Sequence, residues 1–429
     1  MIKKTILLLL ILGNIMMAAT VEELNIKDIN VPIVFEEDKR LPLVTMQFIF
    51  QNSGSIADTT KAGLAKFSAK IMNEGTKELG SSAFAEKLES RAIHISASTG
   101  KETFVIELGC LKEELDEGLK YFELLLKDPN LTQEAVKKVK TTTLGNLARK
   151  ENDFDYVASN ELKALLFEGS VLANPSSGTV ESVKSIDLND VQDFLDKNLV
   201  RSKLIVAVGG DVDIKELKDK ISKIIASMPK GEASSVKKYE VSKEVKEKIV
   251  KKETQQAYIY FGSPYDISVN SEDYYKARVA TFILGAGGFG SRLMEEIRVK
   301  KGLAYSAYAR LQVSKSSSYM SGYLQTKLES LEDAKATVKK IVADFVKEGV
   351  TEEELEQTKK FLLGSEPLRV ETMSQRLHRT FMEFYNGQEL GNSLKELEKI
   401  KKLKLDDLNE FIKSHKEILD MSFAIVTKR

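Results

Sequence analysis

Two periods of apolar residues alternate along this chain, and they do so in the same order twice. Spacing by two marks strands at 33–36 and 43–50; in the second, Val44, Met46 and Phe48 alternate with Thr45, Gln47 and Ile49. Asn52-Ser53-Gly54 turns the chain, and helical spacing follows over 62–73. Strands at 92–98 and 103–109 precede amphipathic helices at 112–126 and 133–150 and a further helix near 156–167. A strand at 203–208, a Gly-Gly pair and a helix at 214–227 close the first half. The second half opens with a strand at 257–261 and runs through two helices to strands at 303–313 and 318–325. It ends in helices and a strand at 422–426.

A residue-level echo supports a true repeat. Leu131-Thr132-Gln133-Glu134 runs to Leu144-Gly145, and Val350-Thr351-Glu352-Glu353 runs to Leu363-Gly364 over the same length. Thr351 and Glu354 have capping-box spacing, whereas Thr132 opens its helix without that partner. The pattern predicts an α+β protein of two similar domains, each a mixed β-sheet backed by helices. These are expected at 20–228 and 252–429, with a Lys/Glu-rich linker at 229–251.

A length of 429 residues suits two cores of this size. The first 19 residues carry two lysines, an apolar run and Ala18-Ala19, the pattern of a cleavable secretory signal peptide. The run is interrupted by Gly13 and Asn14, so no stable membrane span is expected after cleavage. A single cysteine, Cys110, excludes an intramolecular disulfide and fits export to a bacterial periplasm. Lys+Arg and Asp+Glu are equal at 64 each, which gives no reason to expect nucleic acid as a partner.

The chemistry concentrates in residues 285–308, GAGGFGSRLMEEIRVKKGLAYSAY: a glycine-rich loop, a helix expected over 291–300, a stop at Gly302 and a strand. Gly285-Ala286-Gly287-Gly288-Phe289-Gly290 fits G-x-G-x-x-G, but a dinucleotide site needs a strand before it and an acid about 20 residues on. A helical stretch precedes it and no Asp or Glu occurs between Ile297 and Leu328, so a nucleotide cofactor is not expected.

With Ser291-Arg292-Leu293, Glu296-Ile297-Arg298 and Gly302-Leu303-Ala304-Tyr305-Ser306, this stretch resembles the second-domain signature of the pitrilysin/insulinase (inverzincin) metallopeptidases. The likeness is to their processing-peptidase-like branch. The resemblance implies a two-domain fold that forms half of a peptidase clam. It also implies that Arg298 and Tyr305, seven residues apart, bind substrate backbone and stabilise a tetrahedral intermediate at a zinc site on another domain. In such families the first domain holds zinc with H-x-x-E-H on a helix, two histidines one turn apart and a glutamate as base.

Here the frame survives as Gly63-Leu64-Ala65-Lys66-Phe67-Ser68-Ala69-Lys70, then Gly75-Thr76, but Lys66 and Lys70 replace the histidines and Ala69 the glutamate. A lysine ammonium has no lone pair for a metal. The position of the third ligand, an acid, is expected near Gly145, where residues 144–148 contain none. His94, His378 and His415 are isolated from one another, and no G-x-S-x-G elbow occurs. No metal or other cofactor is therefore expected in this chain. The expectation is a catalytically incomplete subunit that works with a zinc-bearing homologous chain on an extended peptide substrate. The alternative is a non-catalytic scaffold or peptide-binding protein of the same fold.

Overall fold

The computed structural model describes residues 19–428. The expected signal peptide lies outside the described residues apart from Ala19. Six strands form the first sheet: β1 (Thr20–Ile26), β2 (Ile29–Glu37), β3 (Leu43–Gln51), β4 (His94–Thr99), β5 (Thr103–Leu111) and β6 (Leu204–Gly210). Their order is β1-β2-β6-β3-β5-β4, with β2 and β6 parallel and the other neighbours antiparallel. Five strands form the second: β7 (Glu247–Lys251), β8 (Gln256–Pro264), β9 (Ala304–Val313), β10 (Ser318–Lys327) and β11 (Ser422–Thr427). The order β7-β11-β8-β10-β9 has one parallel pair, β7 with β11. Both sheets are mixed and backed by helices, as the periodicity predicts.

The alternation of β3 and β5 sends Val44, Met46, Phe48, Phe104, Ile106 and Leu108 into the first core, under helices Leu64–Met72 and Leu115–Lys127. In the second half, Phe261, Met320, Leu324 and Phe423 meet Val338, Val342 and Phe345 of helix Leu331–Glu348. Thr351 and Glu354 form the expected capping box, and Thr132 accepts from the amide of Ala135 alone.

The opposite face of each sheet is covered by a helix from the other half. Helix Met373–Tyr385 lays Leu377 and Tyr385 on Val34, Ile49, Ile205 and Ala207 of the first sheet. Helix Phe154–Leu166 lays Leu162 and Leu166 on the second sheet beside Tyr319 and Ala424. Two glycines permit the approach: a Cβ on Gly209 would stand 2.1 Å from Met373 Sδ, and one on Gly262 would stand 2.8 Å from Leu166 Cδ1.

Three elements differ from the expectations. The segment 229–246 contains neither helix nor strand, but the last five residues assigned to the linker are β7. Its lysines and glutamate read as a solvated run because it is an edge strand with mostly exposed side chains. Strand β1, also at an edge, carries Glu22 and Glu23 and has no apolar alternation to announce it. Residues 291–300 are not a uniform α-helix: one α-helical turn, Arg292–Met294, opens into wider i→i+5 turns over Glu295–Lys300. No helix among the described residues is long and apolar enough to cross a membrane.

Candidate functional site

The degenerate metal frame lies on helix Leu64–Met72. Asp58 fixes the start of that helix by accepting from the amides of Gly63 (2.9 Å) and Ala65 (2.7 Å). Burial pushes its carboxyl up to about 7, against the pull of those two donors. Lys66 and Lys70, one turn apart, face a cavity of about 380 Å³ whose other wall is helix Gln133–Lys150. Lys70 Nζ donates to Thr143 Oγ1 at 2.8 Å, and Lys66 Nζ donates to Ser177 Oγ at 3.2 Å. Ala69 is only 3% exposed and packs in the first core.

Gly145 is not among the residues lining this cavity. The helix brings Thr143, Asn146, Leu147, Arg149 and Lys150 to it, while Gly145 is exposed on the helix surface. A Cβ at Gly145 would meet nothing within 4 Å. Gly145, the expected position, thus lies on the helix that walls the cavity but outside the lining itself. Of the same stretch, Thr143 and Asn146 reach the cavity, and neither is acidic.

Cations dominate the lining. Arg149 donates to the side chain of Asn146, and the Lys150 ammonium lies 4.3 Å from the centroid of the Tyr156 ring. Burial lowers the affinity of Lys66 for its proton, and the charge of Lys150 lowers it further. Lys70 is shifted down by burial, then by Lys66 and Lys150. Zinc takes thiolate, imidazole or carboxylate, and one carboxylate on the wall, Asp153, among ammonium groups, a guanidinium, hydroxyls and an amide does not make a ligand set. Among the described residues no three His, Cys, Asp or Glu converge on a common point. His94 and His378 are exposed, and His415 Nδ1 lies 2.6 Å from Glu417 Oε1.

The second candidate cluster lies at the other end of the chain. Leu293 and Ile297 are fully buried and anchor the widened helix, and Gly302 closes it in the left-handed region (φ 61°). Arg292, a member of the sequence signature, is tied down by Glu354 at 2.6 and 2.7 Å and by the carbonyl of Gly349 at 2.8 Å. That link spans 62 residues and has no local sequence signal.

Arg298 is left free of such ties. Its guanidinium carbon stands 4.2 Å from the centroid of the Tyr305 ring and 4.6 Å from that of Phe289, so two aromatics flank it. Tyr305 is 81% exposed and Phe289 70%, on β9 at the edge of the second sheet and in the glycine-rich loop. Neither Arg298 nor Tyr305 makes a side-chain hydrogen bond or ion pair with another described residue. The two lie together, and neither lines the lysine cavity, whose residues fall between 66 and 177.

Comparison with known proteins gives the family of the chain that carries both clusters. Residues 34–180 match the family model described as Insulinase (Peptidase family M16), and residues 185–362 match the Peptidase M16 inactive domain. The chain belongs to the peptidase M16 family. It is 44% identical over 428 residues to the Helicobacter pylori protein named non-peptidase homolog YmxG, covering 99% of each chain. It is 24% identical over 200 residues to the mitochondrial-processing peptidase subunit beta of Dictyostelium discoideum, covering 46% of this chain and 41% of that one. Among solved structures, the peptidase M16 inactive domain from Pseudomonas fluorescens superposes with a TM-score of 0.87 at 22% identity. That match covers 95% of this chain and 98% of the other. Membership in the family and a degenerate, catalytically incomplete M16 fold are thus established.

Proposed function

We propose that the chain is the non-zinc subunit of a heteromeric exported peptidase and lends Arg298 and Tyr305 to a zinc-bearing homologous partner. The observation that carries this is the free, exposed pair itself. A guanidinium flanked by two aromatic rings keeps its donors available, and a tyrosine hydroxyl beside it is presented outward from a sheet edge. Arg298 then holds the backbone carbonyls of an extended peptide, and the Tyr305 hydroxyl donates to the oxyanion that forms when the peptide bond is attacked. The metal and the attacking water belong to the partner. A relative named as a processing-peptidase subunit supports a multi-chain arrangement.

The second reading, a scaffold without catalytic duty, is favoured by the relative named a non-peptidase homolog. One experiment separates them. The chain is mixed with an M16 protein from the same cell that retains H-x-x-E-H, and peptide cleavage is followed for each alone and for the mixture. The mixture cleaves where neither alone does. Tyr305→Phe co-elutes with the partner and lowers kcat by about 100-fold or more, the cost of one oxyanion donor. A Tyr305→Phe complex that assembles and cleaves at the wild-type rate leaves the scaffold reading in place.

A further inference from the structure

We propose that the cavity between helices Leu64–Met72 and Gln133–Lys150 binds organic carboxylates, so that an anion site stands where active relatives hold a cation. Four basic side chains, Lys66, Lys70, Arg149 and Lys150, line it. Their contacts with other described residues are to the hydroxyls of Ser177 and Thr143, the amide of Asn146 and the ring of Tyr156, none of them negatively charged. The one carboxylate on the wall, Asp153, is engaged at the backbone amide of Tyr156 as the cap of the next helix. It makes no ion pair with the four cations.

Unneutralised cations in a part-buried cavity repel one another, and burial, then that repulsion, lowers the proton affinity of Lys66 and Lys70. An anion seated among them removes the repulsion. The ligand's size follows from the cavity. About 380 Å³ lies within the range that holds organic ligands, roughly 300–1,000 Å³, and exceeds what a lone inorganic ion fills. Leu147 and the lysine stems give the wall an apolar part that a carbon chain can cover. An acidic peptide side chain and a small polycarboxylate share this chemistry. The site uses neither Arg298 nor Tyr305 and needs no partner subunit, so it stands or falls apart from the peptidase reading.

The test uses the purified chain alone and fluorescence anisotropy of a dye-labelled, end-blocked peptide carrying two glutamates. Its glutamine counterpart, citrate and sodium phosphate are the comparators. The glutamate peptide or citrate binds and weakens with added salt, while the glutamine peptide does not bind. Lys66→Gln with Lys70→Gln weakens binding tenfold or more, and Lys150→Gln, away from helix Leu64–Met72, weakens it as well. Lys237→Gln, on the segment between the sheets, leaves binding unchanged. A bound glutamate peptide that citrate does not displace assigns an acidic peptide; citrate binding by titration calorimetry with no anisotropy change for the peptide assigns a small polycarboxylate. Equal binding of the glutamine peptide overturns the proposal, as does phosphate competing as well as either carboxylate. So does undiminished binding by the folded double variant, or no binding of either carboxylate probe at millimolar concentration.

Discussion

Arg376 joins the two halves through charge, and its removal has a calculable cost. From helix Met373–Tyr385 of the second half its Nε reaches Glu36 Oε1 at 2.5 Å and its NH2 reaches Asp38 Oδ2 at 2.8 Å, both belonging to the first half. Its NH1 donates to the carbonyls of Val370 and Glu371. The side chains are 15% exposed for Arg376, 3% for Glu36 and 9% for Asp38, so solvent screens the group little. Asp38 keeps Arg40 as a second partner, whereas Glu36 has none besides Arg376 among the described residues. Arg376→Met therefore strands one carboxylate in the interface, a change worth about 3–5 kcal/mol. Adding Glu36→Gln recovers a large part of that loss, because the uncompensated charge is gone.

The assay is urea unfolding followed by far-UV circular dichroism, with hydrogen exchange of helix Met373–Tyr385 to show where opening begins. The pH dependence has a definite sign. Arg40, then Arg376, hold the Asp38 carboxyl well below its usual 3.8 in the fold. This stabilisation is complete above that value and is lost as pH falls below it. A loss under about 1 kcal/mol for Arg376→Met, or a double variant no better than the single, refutes this account of the interface.

The lysine cavity makes a sharp metal prediction. Lys66→His, Ala69→Glu and Lys70→His together leave zinc below one tenth equivalent after dialysis, for want of a third ligand. Adding Asn146→Glu brings it near one equivalent while adding Gly145→Glu does not; the opposite pattern refutes the helix register described above. Cys110, on β5 with its side chain buried in the first core and its thiol pushed up to about 11 by burial, reacts with a disulfide reagent at pH 8 only after urea is added. Rapid reaction of the native thiol contradicts that burial.

Much of this arrangement is legible from local signals. Helices Gln133–Lys150 and Ile214–Ser227 have the ends that spacing and capping residues predict, because Thr132 and Asp213 satisfy their first amides. Arg298 and Tyr305 are singled out only by the resemblance of their stretch to a family signature, and the structure sets them side by side. Strands β1 and β7 are not, since edge strands carry the same Lys and Glu that mark solvated loops. The widened turns at Glu295–Lys300 leave no trace in composition. Part of the cavity lining has no local signal, because Arg149, Lys150 and Ser177 converge with Lys66 only through tertiary packing. Nor does periodicity state which sheet an apolar helix covers; helix Phe154–Leu166 lies in the first half of the chain and seals the second.

That exchange of helices gives each half a structural duty that does not depend on any chemistry it performs. Leu162, Leu166 and Phe167, all from the first half, are buried against the second sheet; at about 1.5–3 kcal/mol each they contribute several kcal/mol to closing its face. Leu377 and Tyr385 perform the reciprocal service for the first sheet. Neither half can be discarded without exposing the other's apolar face, whatever chemistry it performs. Lys66, Ala69 and Lys70 change only groups that face a cavity or fit a small space, and the packing of Leu64, Phe67 and Ile71 on the same helix is undisturbed. The first half thus remains as the structural support for the sheet whose edge presents Tyr305.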